Sequence, residues 1–569
     1  FFWLFEMKVK EKIINSTIYN SLVSSGFNPA LSSLFASRRI SSVDDVDYKL
    51  DKLLPPDLLK SARESSNLLI SKIDGKEKII IIGDYDADGA TATACGYLGL
   101  KKFGADVDFI VPNRFKFGYG LTPEIVDLAY KKKPGLIVTV DNGIASIEGV
   151  RKANSYGIDV LITDHHLPGE ELPNAKFIVN PNQVSCQFPS KNLCGVGVIF
   201  YVLLSLRTEL RNRNKFLNNP EPILSDLLDL VALGTIADLV KLDFNNRVLV
   251  NYGIKKIRSG NCNFGIESLA QLSKKNLKDL KTSDLSFSIA PKINAAGRLD
   301  DMAIGIKCLI SKSKNEAENY AKQLITFNEQ RKLVENKMKD EALSILSDYV
   351  IKDNYTISMY DDDWHQGVVG IVASRLKEKY YRPTIIFAKD ESGFLKGSGR
   401  SIPSFHLRDA LDLLSKKNPD LILTFGGHAM AAGLTIKIEN FNIFCLEFEV
   451  IAKKLLSPDD LNLIVEFDKS IPIKYLNHET IRAINSQIWG QGFPPPIFFG
   501  FFEVVKQEIV ANKHNKCVLK NENDKYDAIF FNFSDKLADR IGAIYSVELN
   551  EFNQKSSIQL IIKSQNEKK

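Results

Sequence analysis

Three short acidic clusters stand where chemistry could be done. Asp84-Tyr85-Asp86-Ala87-Asp88-Gly89 follows Ile79–Ile82, Asp141-Asn142-Gly143 follows Leu136–Val140, and Asp164-His165-His166 follows residues 160–163. Each comes directly after a run of apolar β-formers. Carboxylate oxygens suit Mg²⁺ and Mn²⁺, and imidazole nitrogen tilts the preference toward transition metals. Two such ions side by side can stabilise both the attacking and the leaving oxygen of a phosphoester. That site needs several carboxylates, one of them able to bridge. Asp86 and Asp88, two residues apart, would share a face of an extended segment; on a tight loop both would reach one cluster, and Gly89 would let the backbone turn afterwards. Asp141, alone at its strand end, is the natural bridge. His165 and His166 are adjacent and point differently, so one can ligate while the other faces a substrate phosphate. Taken singly, Asp-Gly and Asn-Gly are ordinary turns, and Asp164 could be a helix N-cap. Three clusters at successive strand ends, holding two of the chain's seven histidines, favour metal-assisted phosphate chemistry.

The elements that must position these groups follow from the hydrophobic pattern. From Lys78, β-rich runs at Ile79–Ile82, 107–111, Leu136–Val140, 160–163 and Phe177–Val179 alternate with helical stretches. This alternation predicts a parallel sheet wrapped by helices, in which ligands gather beyond the carboxyl ends of the strands. Residues 1–75 read as a helical lead-in and 76–312 as the first α/β domain. A long helix over 313–350, rich in Glu, Lys, Gln and Ala, reads as a connector. A second α/β block follows over 351–458, and short strands with polar turns over 459–569 suggest a small β-barrel.

The bulk numbers bound the class. At 569 residues several domains are expected. A hydrophobic fraction of 44% and a charged fraction of 25% are those of a globular chain. The formal net charge of +5 is mild; it permits a basic groove without itself indicating nucleic acid. Seven cysteines with no C-x-x-C pair suggest a reduced, cytoplasmic setting and no structural zinc. No apolar run approaches the ~20 residues of a membrane span. Phe1–Glu6 has no basic lead, which argues against a signal peptide, and Met7 is a candidate start.

The order Asp-Tyr-Asp-Ala-Asp-Gly, Val-Asp-Asn-Gly, Asp-His-His and Ala-Leu-Gly-Thr-Ile-Ala-Asp (232–238) resembles the four motifs of the DHH phosphoesterase superfamily. Within it, the chain is similar to the bacterial single-strand-specific exonucleases, from about Lys78 to the C-terminus. The resemblance implies a parallel-sheet DHH domain joined by a long helix to a DHH-associated α/β domain, then an OB-like barrel. It implies 5′→3′ degradation of single-stranded DNA to 5′ mononucleotides by two-metal hydrolysis, in DNA repair and recombination. Asp86, Asp88, Asp141, His165 and Asp238 would hold two Mn²⁺ or Mg²⁺ ions, Asp141 between them. His166 would contact phosphate, and Asp84 would stand behind the ligands. Asp229 is the other acid of the fourth motif; Asp238, at a helix end, is preferred.

Arg114, Ser398 and Arg400 are implied to hold the 5′ phosphate, with Gly397-Ser398-Gly399-Arg400-Ser401 read as a small, flexible, cationic cradle. Tyr119 could stack on a base. Asn294 and Arg298, His365 and Gln366, Arg375, and His428 on a glycine-rich loop are further substrate candidates. Trp364 could equally be core, and the Phe498–Phe502 aromatics fit core better than stacking platforms. The turn before the barrel, Gly490-Gln491-Gly492-Phe493-Pro494-Pro495-Pro496, departs from the family pattern. Single-strand binding protein and a RecQ-type helicase are the implied partners. Two other readings share the motifs. A phosphodiesterase for very short oligonucleotides would lack the barrel, and a non-catalytic strand-binding scaffold would lack the acids.

Overall fold

The computed structural model describes residues 8–111, 119–299, 301–347, 354–471, 475–521, 524–552 and 555–567. The chain forms two compact units: Asp44–Glu329 with Ser486–Pro495, and Gln330–Asn485 with Pro496–Lys569 and the residues up to Val43. The division falls within a single helix, Lys314–Ser347.

A short strand, β1 (Lys8–Glu11), opens the described chain. The first unit then builds a five-stranded sheet from β2 (Ile79–Ile82), β3 (Val107–Ile110), β4 (Leu136–Val140), β5 (Asp159–Thr163) and β6 (Phe177–Val179). Its order is β3-β2-β4-β5-β6 and every pairing is parallel. All residues of β2 and β4 are buried, as expected where both faces of a parallel sheet are covered, so the apolar runs are unbroken rather than alternating. Ile80, Ile82, Ile137, Val160 and Ile162 pack on one face with Leu121, Ile125 and Val150. From β2 the chain steps outward to β3 and then crosses back to β4 on the other side. The carboxyl ends of β2 and β4 therefore flank a topological switch point, where open α/β sheets bind ligands.

Ser486–Pro495 anchors to this unit through its own aromatic pair. Trp489 stacks on Phe493 with centroids 5.3 Å apart, the Arg247 guanidinium lies 4.5 Å over Phe493, and Leu242 N donates to Gln491 O at 2.8 Å.

The second unit carries a mixed sheet of β7 (Ile357–Asp361), β8 (Thr384–Lys389), β9 (Phe394–Arg400), β10 (Thr424–Gly427) and β11 (Ala431–Lys437), in the order β10-β11-β9-β8-β7. Only β7 and β8 run parallel. Phe387, Phe405, Phe444 and Phe448 form its core. The strand β12 (Ile464–Phe467) pairs in parallel with β1. The expected helical lead-in thus begins with a strand, whose partner lies more than 450 residues away and left no local signal. Arg38 forks onto Asp468 at 2.7 and 2.8 Å, with Lys12 at 3.0 Å, which pins the N-terminal segment beside β12.

Strands β13 (Phe498–Val510), β14 (His514–Asn521), β15 (Asp524–Phe530), β16 (Arg540–Phe552) and β17 (Lys555–Glu567) close into a barrel ordered β13-β14-β15-β17-β16. This is the five-stranded OB-like form. Phe498 and Phe502 fill its interior, but Phe501 is 53% exposed. The expectation that these aromatics are core holds for two of them and fails for Phe501, because alternate residues of a strand face opposite ways. No helix among the described residues is long and apolar enough to cross a membrane.

Candidate metal centre

The site begins where β2 stops. Asp84 is buried, and its Oδ1 accepts from Tyr85 N at 2.7 Å. Asp86 then caps helix α1 (Ala87–Lys102), its Oδ1 accepting from Gly89 N at 3.0 Å. Asp88 sits in the first turn of that helix. Of the two expectations for Asp86 and Asp88, an extended segment or a tight loop from which both reach one cluster, the structure fits the second better: they lie at a tight helix start. The N-cap geometry brings them together, and the positive helix end favours both charges. The Asp88 carboxylate is gripped by a second helix start: Gly195 N donates to Oδ2 at 2.6 Å and Val196 N to Oδ1 at 3.0 Å. These residues open helix α2 (Gly195–Asn212). Residue 195 must be glycine, since a Cβ there would stand 2.4 Å from Asp141 Cβ.

Asp141 ends β4 with φ +62°, in the left-handed region that few residues other than glycine adopt. The neighbouring side chain holds it there. Asn142 Nδ2 donates to Ile82 O at 3.1 Å and Val140 O at 2.9 Å, tying the ends of β2 and β4. Asp141 Oδ1 is buried and accepts no hydrogen bond among the described residues.

Asp164 follows β5 and organises the histidines. Its Oδ2 accepts from Ile144 N at 2.9 Å; its Oδ1 accepts from His165 N at 2.7 Å and His166 N at 3.1 Å, and lies 2.7 Å from His166 Nδ1. It is no N-cap but the hub of this turn. Asn182 Nδ2 and Asn180 Nδ2 donate to the His165 and His166 carbonyls at 2.5 and 2.9 Å. Asp238 comes from the end of helix α3 (Leu228–Ala237).

These side chains converge. His165 Nε2 is 3.1 Å from Asp141 Oδ1, 3.6 Å from Asp238 Oδ2 and 4.0 Å from Asp88 Oδ2. Three overlapping sets each place their donor atoms within 4.8 Å of one another: Asp88 with His165 and Asp238, Asp84 with Asp86 and Asp141, and Asp141 with His165 and His166. Asp84, expected behind the ligands, has an oxygen within 4.8 Å of those of Asp86 and Asp141. Asp229 lies elsewhere, bonded by Leu230 N, Asn263 N and Lys256 Nζ.

The charges are unbalanced. Among the described residues, no Lys or Arg pairs with Asp84, Asp86, Asp88, Asp141 or Asp238. Burial, with the charge of Asp86 next, pushes Asp84 well up, and the same causes lift Asp88 to about 7. Burial and the charges of Asp88 and Asp86 drive Asp141 and Asp238 well above the usual carboxylate range. Asp164 goes the other way: burial opposes ionisation, but the His166 hydrogen bond and charge hold it below its ordinary value. Burial also opposes charge on His166, and Asp164 overcomes it, raising His166 to about 9. Buried carboxylates with no cationic partner, mixed with imidazole, form a donor set that divalent ions fit.

Around this centre, Tyr119 OH donates to the Asp141 carbonyl at 3.2 Å, and its ring meets Tyr85 and His166 edge-on, 5.9 Å from each. Asn294 accepts from Ala87 N at 2.7 Å, and Arg298 lies one turn further along the same helix. Arg114 lies outside the described residues.

In the second unit the Gly-Ser-Gly-Arg segment is not a flexible loop. It is the end of β9, paired on both sides, because small residues let neighbouring chains close on it. Arg400 Nη1 donates to Ser398 Oγ at 3.2 Å and Gly399 O at 2.8 Å. Both side chains lie against Gly370, where a Cβ would be 2.8 Å from Ser398 Oγ and 3.0 Å from Arg400 Nη2. Burial lowers the Arg400 pKa. Arg375, expected on the strand path, is engaged by Glu335 at 3.1 Å and Glu378 at 3.4 Å. Trp364 is core, its Nε1 donating to Glu341. His365 Nδ1 accepts from Gly367 N, and Gln366 Nε2 donates to Lys389 O. His428 stands in the tight turn between β10 and β11, with its N bonded to Ala431 O, rather than on a free loop.

Sequence reasoning missed Asn142, Asn180, Asn182 and the Gly195-Val196 grip. The small residues of Cys194-Gly195-Val196-Gly197 are the signal from which that close approach could have been read.

A parallel sheet with acids and imidazoles at its switch point defines a metal-dependent phosphoesterase of the DHH class. Residues 78–235 match the family model described as DHH family, N-terminal domain. Residues 352–454 match the DHHA1 domain and 467–564 the RecJ OB domain. The single-stranded-DNA-specific exonuclease RecJ of Haemophilus influenzae is 43% identical over 94% of this chain and 96% of its own length. The Escherichia coli K12 protein of that description is 42% identical over 94% and 95%. The structure of Thermus thermophilus RecJ in complex with Mn²⁺ aligns with a TM-score of 0.83 at 26% identity, covering 99% of this chain and 80% of that one. The Mg²⁺ complex aligns at 0.77. The chain belongs to the RecJ family.

Proposed function

We propose that this chain degrades single-stranded DNA from its 5′ end, releasing 5′ mononucleotides. The observation that carries this reading is the set of buried and half-buried carboxylates around Asp141 and His165 at the sheet's switch point, with no Lys or Arg partner among the described residues. Asp86, Asp88, Asp141, His165 and Asp238 would hold two cations, with Asp84 close enough to join them. Bound there, Mn²⁺ or Mg²⁺ would polarise the scissile phosphate and stabilise the charge that develops on it. The mixed donor set tilts the preference to Mn²⁺.

The chain's own residues do the positioning. Asp164 fixes His166 Nδ1, so Nε2, 3.5 Å from the Tyr119 hydroxyl, is the ring nitrogen that would donate to a phosphate oxygen. Tyr119, half exposed beside His166, offers a face to a base. Arg298 would meet the phosphate backbone. Arg400 and Ser398, with Arg114, would hold the 5′ phosphate, and His365 and Gln366 on their loop and His428 in its tight turn would contact the strand. Arg375, already paired, would act by holding Glu335. The barrel, with Phe501 outward, would bind single-stranded DNA. A barrel suited to long strands favours this over a dinucleotide phosphodiesterase.

On this reading the protein works in the cytoplasm, in repair and recombination, with single-strand binding protein and a RecQ-type helicase as partners. The domain limits are 76–312, 351–458 and 459–569. The test is digestion of end-labelled single strands with Mn²⁺. A 5′-phosphorylated strand should shorten from that end and be spared by a chelator or by Asp141→Ala. Equal digestion from 3′ ends would overturn the polarity.

A further inference from the structure

We propose that Asn294 is a positioning residue of the metal centre rather than a contact for DNA; this rests on the metal reading above. Asn294 lies on the helix Ala290–Leu299, which follows a π turn over Leu285–Ile289. Such turns shift the rotational phase of a helix and recur at functional sites. The face presented here meets the Asp84–Asp88 segment. Asn294 Oδ1 accepts from Ala87 N at 2.7 Å. Three residues on, Gly297 presses the same segment: a Cβ there would lie 2.0 Å from Tyr85 O. Residues three apart share a helix face, so one face clamps both sides of Asp86.

The clamp matters because α1 begins at Asp86. The first N–H groups of a helix have no partner within it. Asp86 Oδ1 serves Gly89 N, and Asn294 serves Ala87 N. With both served, the second Asp86 oxygen is left for a cation. Without the Asn294 oxygen, the Ala87 N–H competes for the Asp86 carboxylate and draws it from the centre. The amide orientation is fixed by its partner. An N–H requires the oxygen, so Nδ2 faces away from the loop.

Two variants separate positioning from DNA contact. Asn294→Asp keeps the acceptor; Asn294→Ala removes it. A positioning residue predicts that Asn294→Ala weakens Mn²⁺ binding about tenfold, read by EPR of free Mn²⁺ with the full chain and no DNA. Asn294→Asp then binds Mn²⁺ within about twofold of the parent. A donor to DNA phosphate predicts the reverse order. The carboxylate of Asn294→Asp would raise KM for a single strand more than Asn294→Ala does, with Mn²⁺ binding intact in both. Unchanged Mn²⁺ binding in Asn294→Ala, or equal loss in both variants, overturns the proposal. A parent protein that binds no Mn²⁺ would instead overturn the metal reading itself.

Discussion

Without its cations, this protein should lose stability as the pH rises from about 4 to about 7. Asp88 is 1% exposed and lifted from 3.8 to about 7 by burial and by Asp86. A carboxyl whose folded-state pKa lies above its unfolded one binds more protons when folded. Its folded state is therefore favoured below the unfolded pKa and penalised as pH climbs through the folded one. For Asp88 alone the penalty at pH 8 is on the order of 4 kcal/mol. Asp84, Asp141 and Asp238 shift the same way. The assay is thermal melting of the chelated protein from pH 4.5 to 8, repeated with Mn²⁺. The metal-free melting temperature should fall across this range, and Mn²⁺ should restore it most at pH 8. Asp238→Asn gives the internal control. Its carboxylate accepts no hydrogen bond among the described residues, so the amide should stabilise the metal-free protein at pH 8 by about 1–2 kcal/mol while weakening Mn²⁺ binding. A flat metal-free profile, or Asp238→Asn less stable than the parent at pH 8, would refute the reasoning.

Other outcomes follow from single contacts. Gly195→Ala drives a Cβ into Asp141 and loosens the grip on Asp88; kcat should fall at least about a hundredfold, with KM for DNA little changed. Asp164→Asn removes the anion that raises His166. In the metal-free protein, NMR should then find that ring titrating below the about 9 of the parent. The stability from charge on His166 is fully present below its unfolded pKa and lost as the pH rises through about 9, so the variant should lack it at low pH and converge on the parent above that value. Asp229→Ala strands Lys256 and the Asn263 N–H; it should cost about 3 kcal/mol in chemical denaturation without altering Mn²⁺ affinity. Arg400→Lys should raise KM for 5′-phosphorylated strands more than for 5′-hydroxyl ones.

The gathering of these acids and imidazoles was legible because most of them sit where a hydrophobic run stops, and a strand end in a parallel sheet has a fixed place. Asp238 and Asp229 stand at opposite ends of one helix, and the structure groups Asp238 with Asp88 and His165 while Lys256 and Asn263 hold Asp229. What the sequence hid depends on contacts between distant segments. Asp164 looks like a cap until Ile144 and His166 are brought to it. The glycines at 397 and 399 suggest a loop, yet they mark close strand packing, since a Cβ at 397 would meet Phe387 at 2.5 Å. Arg375 looks available until Glu335, on another helix, arrives beside it. The strand at Lys8–Glu11 exists only through β12.

The central claim is that the Asp84–Asp88 loop, Asp141, His165 and Asp238 hold a pair of divalent ions. Anomalous diffraction from crystals soaked in Mn²⁺ tests it most directly. Two peaks are expected, one among Asp88, His165 and Asp238 and one among Asp84, Asp86 and Asp141. A soaked crystal with Mn²⁺ bound elsewhere and no density at these carboxylates would contradict it.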